Sequence, residues 1–219
     1  MNFFYLFFHW ICVLSSIPAD WFFFKRKTYY EDKKVQGKRI RGGALVISNH
    51  NNTLDFVMNT LIVFPRNLHV IASEHAFKNP LIRFGMKFWG GIEANRLTKS
   101  MKFMDAAAEV IRGGDLVQIF PEGQNTDDGQ IHPFKKSYIV IAHRAGCPII
   151  PIINDGQYGL FKRTRVMIGK PIELSDFQIS EKPTREELAQ IDAVIYQKVL
   201  DLRAALEDSK KKRNQDKRK

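Results

Sequence analysis

His50 and Asp55 stand five residues apart in the stretch ISNHNNTLDF, residues Ile47 to Phe56. A carboxylate on one imidazole nitrogen fixes the ring's tautomer. The other nitrogen is then free to take a proton, and the acid stabilises the imidazolium that forms. This is the chemistry of a general base. Spacing alone does not establish it, because His69 and Glu74 repeat the same interval. Those two lie along a strand-like segment, where five residues cover about 17 Å and an odd separation turns the side chains to opposite faces. Between His50 and Asp55 the chain has Asn51, Asn52 and Thr53 instead. These are turn formers and helix N-caps, and they bend the chain so that Asp55 returns beneath His50. A histidine that only caps the helix through its own loop is the structural alternative.

The elements that must position the pair follow from apolar patterning. β-branched runs at Ala44–Ser48, Leu68–Ala72, Ile92–Ala94, Leu116–Phe120, Ile149–Ile153 and Val166–Ile168 read as strands. Thr53–Phe64, Ala76–Trp89, Lys99–Arg112 and Lys136–Ala145 read as helices, the last two stopped by glycine. A long helix runs from a cap at Thr184 to about Ser209. Alternation of strand and helix implies an α/β fold with a largely parallel sheet flanked by helices. His50 then lies past the carboxyl end of a strand, where such sheets bind ligands.

The chain has 219 residues, enough for one domain with an appendage. Its net charge of +11 is carried at two flanks: residues 25–41 contribute +6 and residues 210–219 another +6, while residues 42–209 balance to zero. A neutral body with basic flanks suits an anionic lipid surface, and no nucleic-acid recognition motif is present. Phe3 to Phe24 is apolar and aromatic, and Lys25, Arg26 and Lys27 follow at once. The uninterrupted part, Phe3 to Ile17, would reach only about 22 Å as a helix, short of a bilayer core. Pro18 and Asp20 break the run. We expect a membrane-associated helical hairpin over residues 1–30 seated in one leaflet, with a single tilted span as the alternative. The body, 31–209, would lie at the cytoplasmic face of the cell membrane, and 210–219 would be a disordered basic tail. Two cysteines, Cys12 and Cys147, make no disulfide framework, and no His/Cys spacing matches a metal site.

Three further stretches bear on the site. Gly90 to Arg96 reads GGIEANR, Phe120 to Gly123 reads FPEG, and Ile150-Pro151-Ile152 lies within a strand. With Asn49-His50 and Asp55, these four blocks in this order resemble the glycerophospholipid acyltransferases of the lysophosphatidate acyltransferase type. The resemblance covers roughly Pro18 to Lys170. Two positions depart from the family pattern. Gln124-Asn125-Thr126 stands where Thr-Arg-Ser is usual, and Ser137 stands where glycine is common. The missing arginine, at Asn125, is commonly assigned to the acceptor's phosphate, so the acceptor head group is open.

The resemblance implies transfer of a fatty acyl group from a thioester, acyl-CoA or acyl carrier protein, to the free hydroxyl of a lysophospholipid. Lysophosphatidate is the first acceptor to consider and other lysolipids the alternative. His50 would be the base and Asp55 its partner. Arg96 would grip the phosphate, since a guanidinium fork can hold two oxygens. Glu122 would accept from a glycerol hydroxyl or orient Arg96. Gly123 would let the backbone approach the substrate, and Lys135 or Lys136 could replace the missing arginine. Ala76–Trp89 could wall an acyl channel or simply be core. No cofactor beyond the thioester co-substrate is needed, because a thiol leaves readily. No Gly-x-Ser-x-Gly elbow exists, and Cys147 reads as a buried small residue. Two other classes remain: a membrane-surface binding protein with no need of His50, and a metal hydrolase, which lacks its His-Glu-x-x-His motif.

Overall fold

A computed structural model describes residues 3–32, 40–95, 101–126 and 128–216, without the side chains of Phe3, Tyr5, Ala19 and 210–216. Seven strands form one sheet: β1 (Lys27–Tyr30), β2 (Ala44–Ser48), β3 (Leu68–Ser73), β4 (Gly91–Ala94), β5 (Leu116–Ile119), β6 (Ile149–Asn154) and β7 (Arg165–Ile168). Their spatial order is β1-β7-β6-β2-β5-β3-β4. Every neighbouring pair is parallel except β6 with β7. The expected α/β fold with a largely parallel sheet is therefore the one observed.

The central strands are buried on both faces, which suits their near-continuous apolar sequences. Alternate residues serve two cores. Leu45, Ile47, Val117, Ile119, Ile149 and Ile153 pack with α5 (Lys102–Arg112), α6 (Ser137–Ala145) and α7 (Arg185–Asp216). Ala44, Val46, Leu116, Ile150 and Ile152 pack on the other face with Met58 and Val63 of α3 (Asp55–Val63) and with Phe24. The helix after β2 thus lies on one face and the helix after β5 on the other. Adjacent strands whose connections leave to opposite faces open a crevice at their carboxyl ends.

Beyond the N-terminal segment, three details differ from the sequence reading. β1 was not foreseen: its Lys-Thr-Tyr-Tyr sequence reads as part of the basic flank, and it forms because β7 offers an open parallel edge. The expected helix over Ala76–Trp89 is split into a 3₁₀ turn (Glu74–Phe77) and α4 (Pro80–Phe88). Asn79 caps α4 through Leu81 and Ile82 N–H groups, and Pro80 occupies its first turn. α7 begins with a reciprocal capping box between Thr184 and Glu187. It runs past Ser209 to Asp216, so residues 210–216 continue the helix where a disordered tail was expected.

The N-terminal segment is helix on both sides of a break, α1 (Phe3–Ser15) and α2 (Ile17–Ala19), followed by a π turn over Asp20–Phe24. Ser16 keeps right-handed helical angles, and Asp20 N–H donates to Ser16 O. The two pieces therefore run on as one kinked run and do not fold back as a hairpin. Asp20, the acid inside the apolar stretch, is gripped by Arg26 through both carboxylate oxygens at 2.7–2.8 Å. α1 docks on the body: His9 Nδ1 bonds Phe88 O at 2.9 Å, and Trp10 meets Phe64 edge to face.

Candidate active site

β2 ends at Ser48, and Asn49 leaves it with its side chain locked to β6. Asn49 Nδ2 donates to Asn154 O at 3.0 Å, and Asn154 N–H donates to Asn49 Oδ1 at 2.9 Å. His50 and the turn after it follow from this fixed point. Asp55, the first residue of α3, turns its carboxylate back under the turn and is fully buried. Its Oδ2 accepts Asn51 N–H at 2.8 Å and Asn52 N–H at 2.9 Å, and lies 3.3 Å from His50 Nδ1. The bend read from Asn51-Asn52-Thr53 is the one observed. It explains why a buried carboxylate is tolerated: backbone donors surround it at the start of a helix.

His50 is held on a second side by Phe120, whose ring stacks on the imidazole with centroids 3.8 Å apart. With Nδ1 turned to Asp55, Nε2 is the nitrogen available to the cavity that His50 lines. That cavity has a volume of about 900 Å³. Its buried walls are apolar, from Val70, Ile71, Met86 and Ile119, joined by half-buried Phe103 and half-exposed Ile82, and its exposed rim carries Thr53, Gln124, Asn125 and Lys135. An imidazole at the junction of polar rim and apolar interior can act on an amphiphile.

The FPEG block runs beside the histidine turn. Thr126 N–H donates to His50 O at 2.9 Å, and Asn125 Nδ2 donates to Thr53 Oγ1 at 3.2 Å. Glu122 is buried and spends both oxygens on backbone: Oε1 accepts His50 N–H at 3.1 Å and Oε2 accepts His132 N–H at 3.0 Å. It is not among the cavity-lining residues, and its two oxygens brace the histidine turn; the other role expected of it, orienting Arg96, falls on a residue outside the described ones. Burial pushes its carboxyl upward, opposed by those two N–H donors. Gly123 has φ +72°, and a Cβ there would fall 2.5 Å from Lys135 Nζ. Its glycine is required by the left-handed turn, since the lysine's flexible end could move aside. Lys135 and Gly123 both line the cavity. Arg96 lies outside the described residues, although Asn95 before it lines the cavity. Of the Ala76–Trp89 stretch, Ala76, Ile82 and Met86 reach the cavity. Trp89 turns instead to Thr60 Oγ1 at 3.0 Å.

Three participants were missed by sequence reasoning. Phe120 was noted only as part of its block. Nothing local marks Asn154 and Tyr158: from about a hundred residues away Asn154 bonds Asn51 in the turn between the dyad residues, and Tyr158 bonds Asp55 itself. Among the described residues no group of His, Cys, Asp and Glu is arranged to hold a metal ion.

The acyltransferase family model matches residues 25–154, more than half of the chain. The protein belongs to the acyltransferase family. Its relatives include a chloroplastic 1-acyl-sn-glycerol-3-phosphate acyltransferase of Brassica napus, 28% identical over 66% of this chain and 45% of that protein. A 1-acyl-sn-glycerol-3-phosphate acyltransferase of Bacillus subtilis is 24% identical over 75% of this chain and 83% of that protein. This acyltransferase-family chain thus spans about half the length of several curated relatives and most of the Bacillus one. The crystal structure of the 1-acyl-sn-glycerophosphate acyltransferase PlsC from Thermotoga maritima shares the fold. The TM-score is 0.60, over 93% of this chain and 79% of that one, at 18% identity.

Proposed function

We propose that this protein transfers a fatty acyl group from a thioester, acyl-CoA or acyl carrier protein, to the free hydroxyl of lysophosphatidate, giving phosphatidate. The observation that carries the reading is the buried Asp55 held against His50 Nδ1, with His50 at the mouth of an apolar cavity. His50 Nε2 takes the proton of the acceptor hydroxyl as its oxygen attacks the thioester carbonyl. The carbon–sulfur bond then breaks, and the imidazolium returns the proton to the departing thiolate. A thiol of pKa about 8.5 is a far better leaving group than an alcohol, so direct transfer suffices. The activity for which these relatives are named supports lysophosphatidate as acceptor.

Membrane seating follows from where the acceptor lives. Phe4, Phe7, Ile11 and Leu14 of α1 are exposed, as are Trp21 and Phe22. α4 presents Leu81 and Phe84 to the outside while Ile82 and Met86 line the cavity. Leu6–Phe24, 19 residues long, is long and apolar enough to cross a membrane by length and composition. With the basic residues after it, this surface suits the anionic cytoplasmic leaflet, at about 1 kcal/mol per lysine or arginine near the surface.

The test is turnover of purified protein in detergent with acyl-CoA and acyl carrier protein thioesters against a panel of lysolipids, with His50→Ala as the blank. Phosphatidate formation that disappears in the blank is the expected result. Acylation of another lysolipid in preference would move the head-group assignment. Equal turnover in the blank would refute the proposal.

A further inference from the structure

Asp55 Oδ2 serves His50 and two backbone N–H groups, and among the described residues Oδ1 has one partner, the hydroxyl of Tyr158 at 2.5 Å. Tyr158 belongs to the loop between β6 and β7, 103 residues from Asp55. Its ring is held from two sides. Phe23 stacks on it, with centroids 6.0 Å apart and planes 3° from parallel, and Phe24 meets it edge-on at 5.9 Å. Gly159 N–H donates to Phe23 O and Thr164 N–H to Phe24 O, so the loop is fastened to the π turn.

The same hydroxyl lies 2.9 Å from Asn154 Oδ1, which already accepts from Asn51 Nδ2 at 2.9 Å and Gly156 N–H at 3.0 Å. A phenol has one hydrogen to give. The anionic and nearer acceptor is Asp55, and a hydrogen bond to a carboxylate is the stronger choice. Burial, together with the Asp55 charge, drives the phenol's ionisation far above its ordinary range, so it remains a donor at every working pH.

We propose that Tyr158 is a positioning residue of the acyl transfer: its hydroxyl fixes Asp55 Oδ1, leaves Oδ2 aimed at His50 Nδ1, and disperses the carboxylate's charge, thereby setting how strongly His50 holds the proton it takes. The inference rests on the reading of His50 as the base. Tyr158 does not line the cavity, so its effect falls on chemistry and not on substrate binding. Losing the hydroxyl concentrates charge on Asp55. A more concentrated charge favours the imidazolium, which moves the acid limb of the pH–rate profile to higher pH.

The experiment compares kcat, KM and the pH profile of kcat/KM for the full-chain enzyme, Tyr158→Phe and His50→Ala. A palmitoyl thioester and lysophosphatidate are the substrates, and thermal unfolding is followed in parallel. For Tyr158→Phe we expect KM within twofold and a fall in kcat on the order of tenfold, the size that loss of one charge-assisted hydrogen bond gives. The acid-side midpoint should rise by roughly half a pH unit. Fluorotyrosine at position 158 keeps the ring and is a stronger donor, so it should move the midpoint the opposite way even if the phenylalanine variant folds poorly. An inactive His50→Ala beside midpoints that move in neither variant would overturn this inference alone. Native turnover in His50→Ala would overturn the base itself and the inference with it.

Discussion

His50 and His69 each lie 3.3 Å from an aspartate oxygen, and both rings are largely buried. Distance and burial therefore do not separate them. What separates them is the second nitrogen. His69 uses both: Nε2 faces Asp115 Oδ2, and Nδ1 lies 3.1 Å from Gly90 O. Gly90 sits directly on the ring, where a Cβ would come within 2.4 Å of Nδ1. His69 is a three-way lock between β3, the turn before β4 and the residue before β5. His50 commits one nitrogen to a fully buried acid and keeps the other for the cavity. A base needs a nitrogen left over, and only one of these pairs has it.

The same substitution in both pairs tests this most sharply. His50→Gln should lower kcat by about 10²–10⁴-fold, the span of general-base catalysis, with unfolding near wild type. His69→Gln should leave kcat within a few-fold but cost about 1–2 kcal/mol in urea titration, since Gln cannot satisfy Gly90 O and Asp115 in the imidazole's geometry. Equal loss of turnover in the two variants, with both still folded, would dissolve the distinction.

A smaller effect is expected one layer beneath His50. Glu122 holds the backbone N–H groups of His50 and His132 with its two oxygens. Glu122→Gln keeps one acceptor and turns an NH₂ toward the other N–H. One buried donor is then orphaned, at about 1–3 kcal/mol. Turnover should fall on the order of tenfold as the His50 turn loosens, about one charge-assisted hydrogen bond's worth. The pH dependence has a definite sign. Burial raises the Glu122 carboxyl, so the folded state binds its proton more tightly than the unfolded chain does. The stability this brings is complete below about pH 4.5, the ordinary Glu range, and is lost as pH rises through the raised value. Urea titrations from pH 4 to 7 should therefore show the wild type losing, on the way up, a contribution that Glu122→Gln never had.

The dyad was legible because its geometry is local. Asn51, Asn52 and Thr53 are residues whose conformational preferences decide the turn without help from the rest of the chain. The strands of the sheet were legible for a similar reason, since burial on both faces demands unbroken apolar runs. Illegible features depend on partners distant in sequence. Lys27–Tyr30 is a strand only because β7 presents an edge, and Tyr158 reaches Asp55 only because the β6–β7 loop folds over the π turn. The split at Asn79-Pro80 was readable as a cap followed by an N1 proline, but the apolar stripe around it concealed the signal. The bracing task of Glu122 was not legible, because sequence shows a carboxylate's neighbours in the chain and not the N–H groups that claim its oxygens.

Cys147 offers the one route that would make the His50–His69 contrast beside the point, a thiolate that takes the acyl group before the acceptor does. The structure argues against it on two counts. The residue is buried among the core that α6 and β6 share and does not line the cavity. Desolvation pushes its thiol up to about 11, so at neutral pH almost none is thiolate, and a thiol is a poor nucleophile. Cys147→Ala should therefore keep wild-type kcat and the same pH profile, with a stability cost of about 1 kcal/mol for the lost sulfur contacts. No acyl-enzyme should accumulate when the thioester is mixed with wild-type protein in the absence of acceptor. A burst of thiol release that disappears in a folded Cys147→Ala protein would assign the first transfer to sulfur. His50 would then act on the second half of the reaction, taking the acceptor's proton as it attacks the acyl-cysteine instead of the free donor.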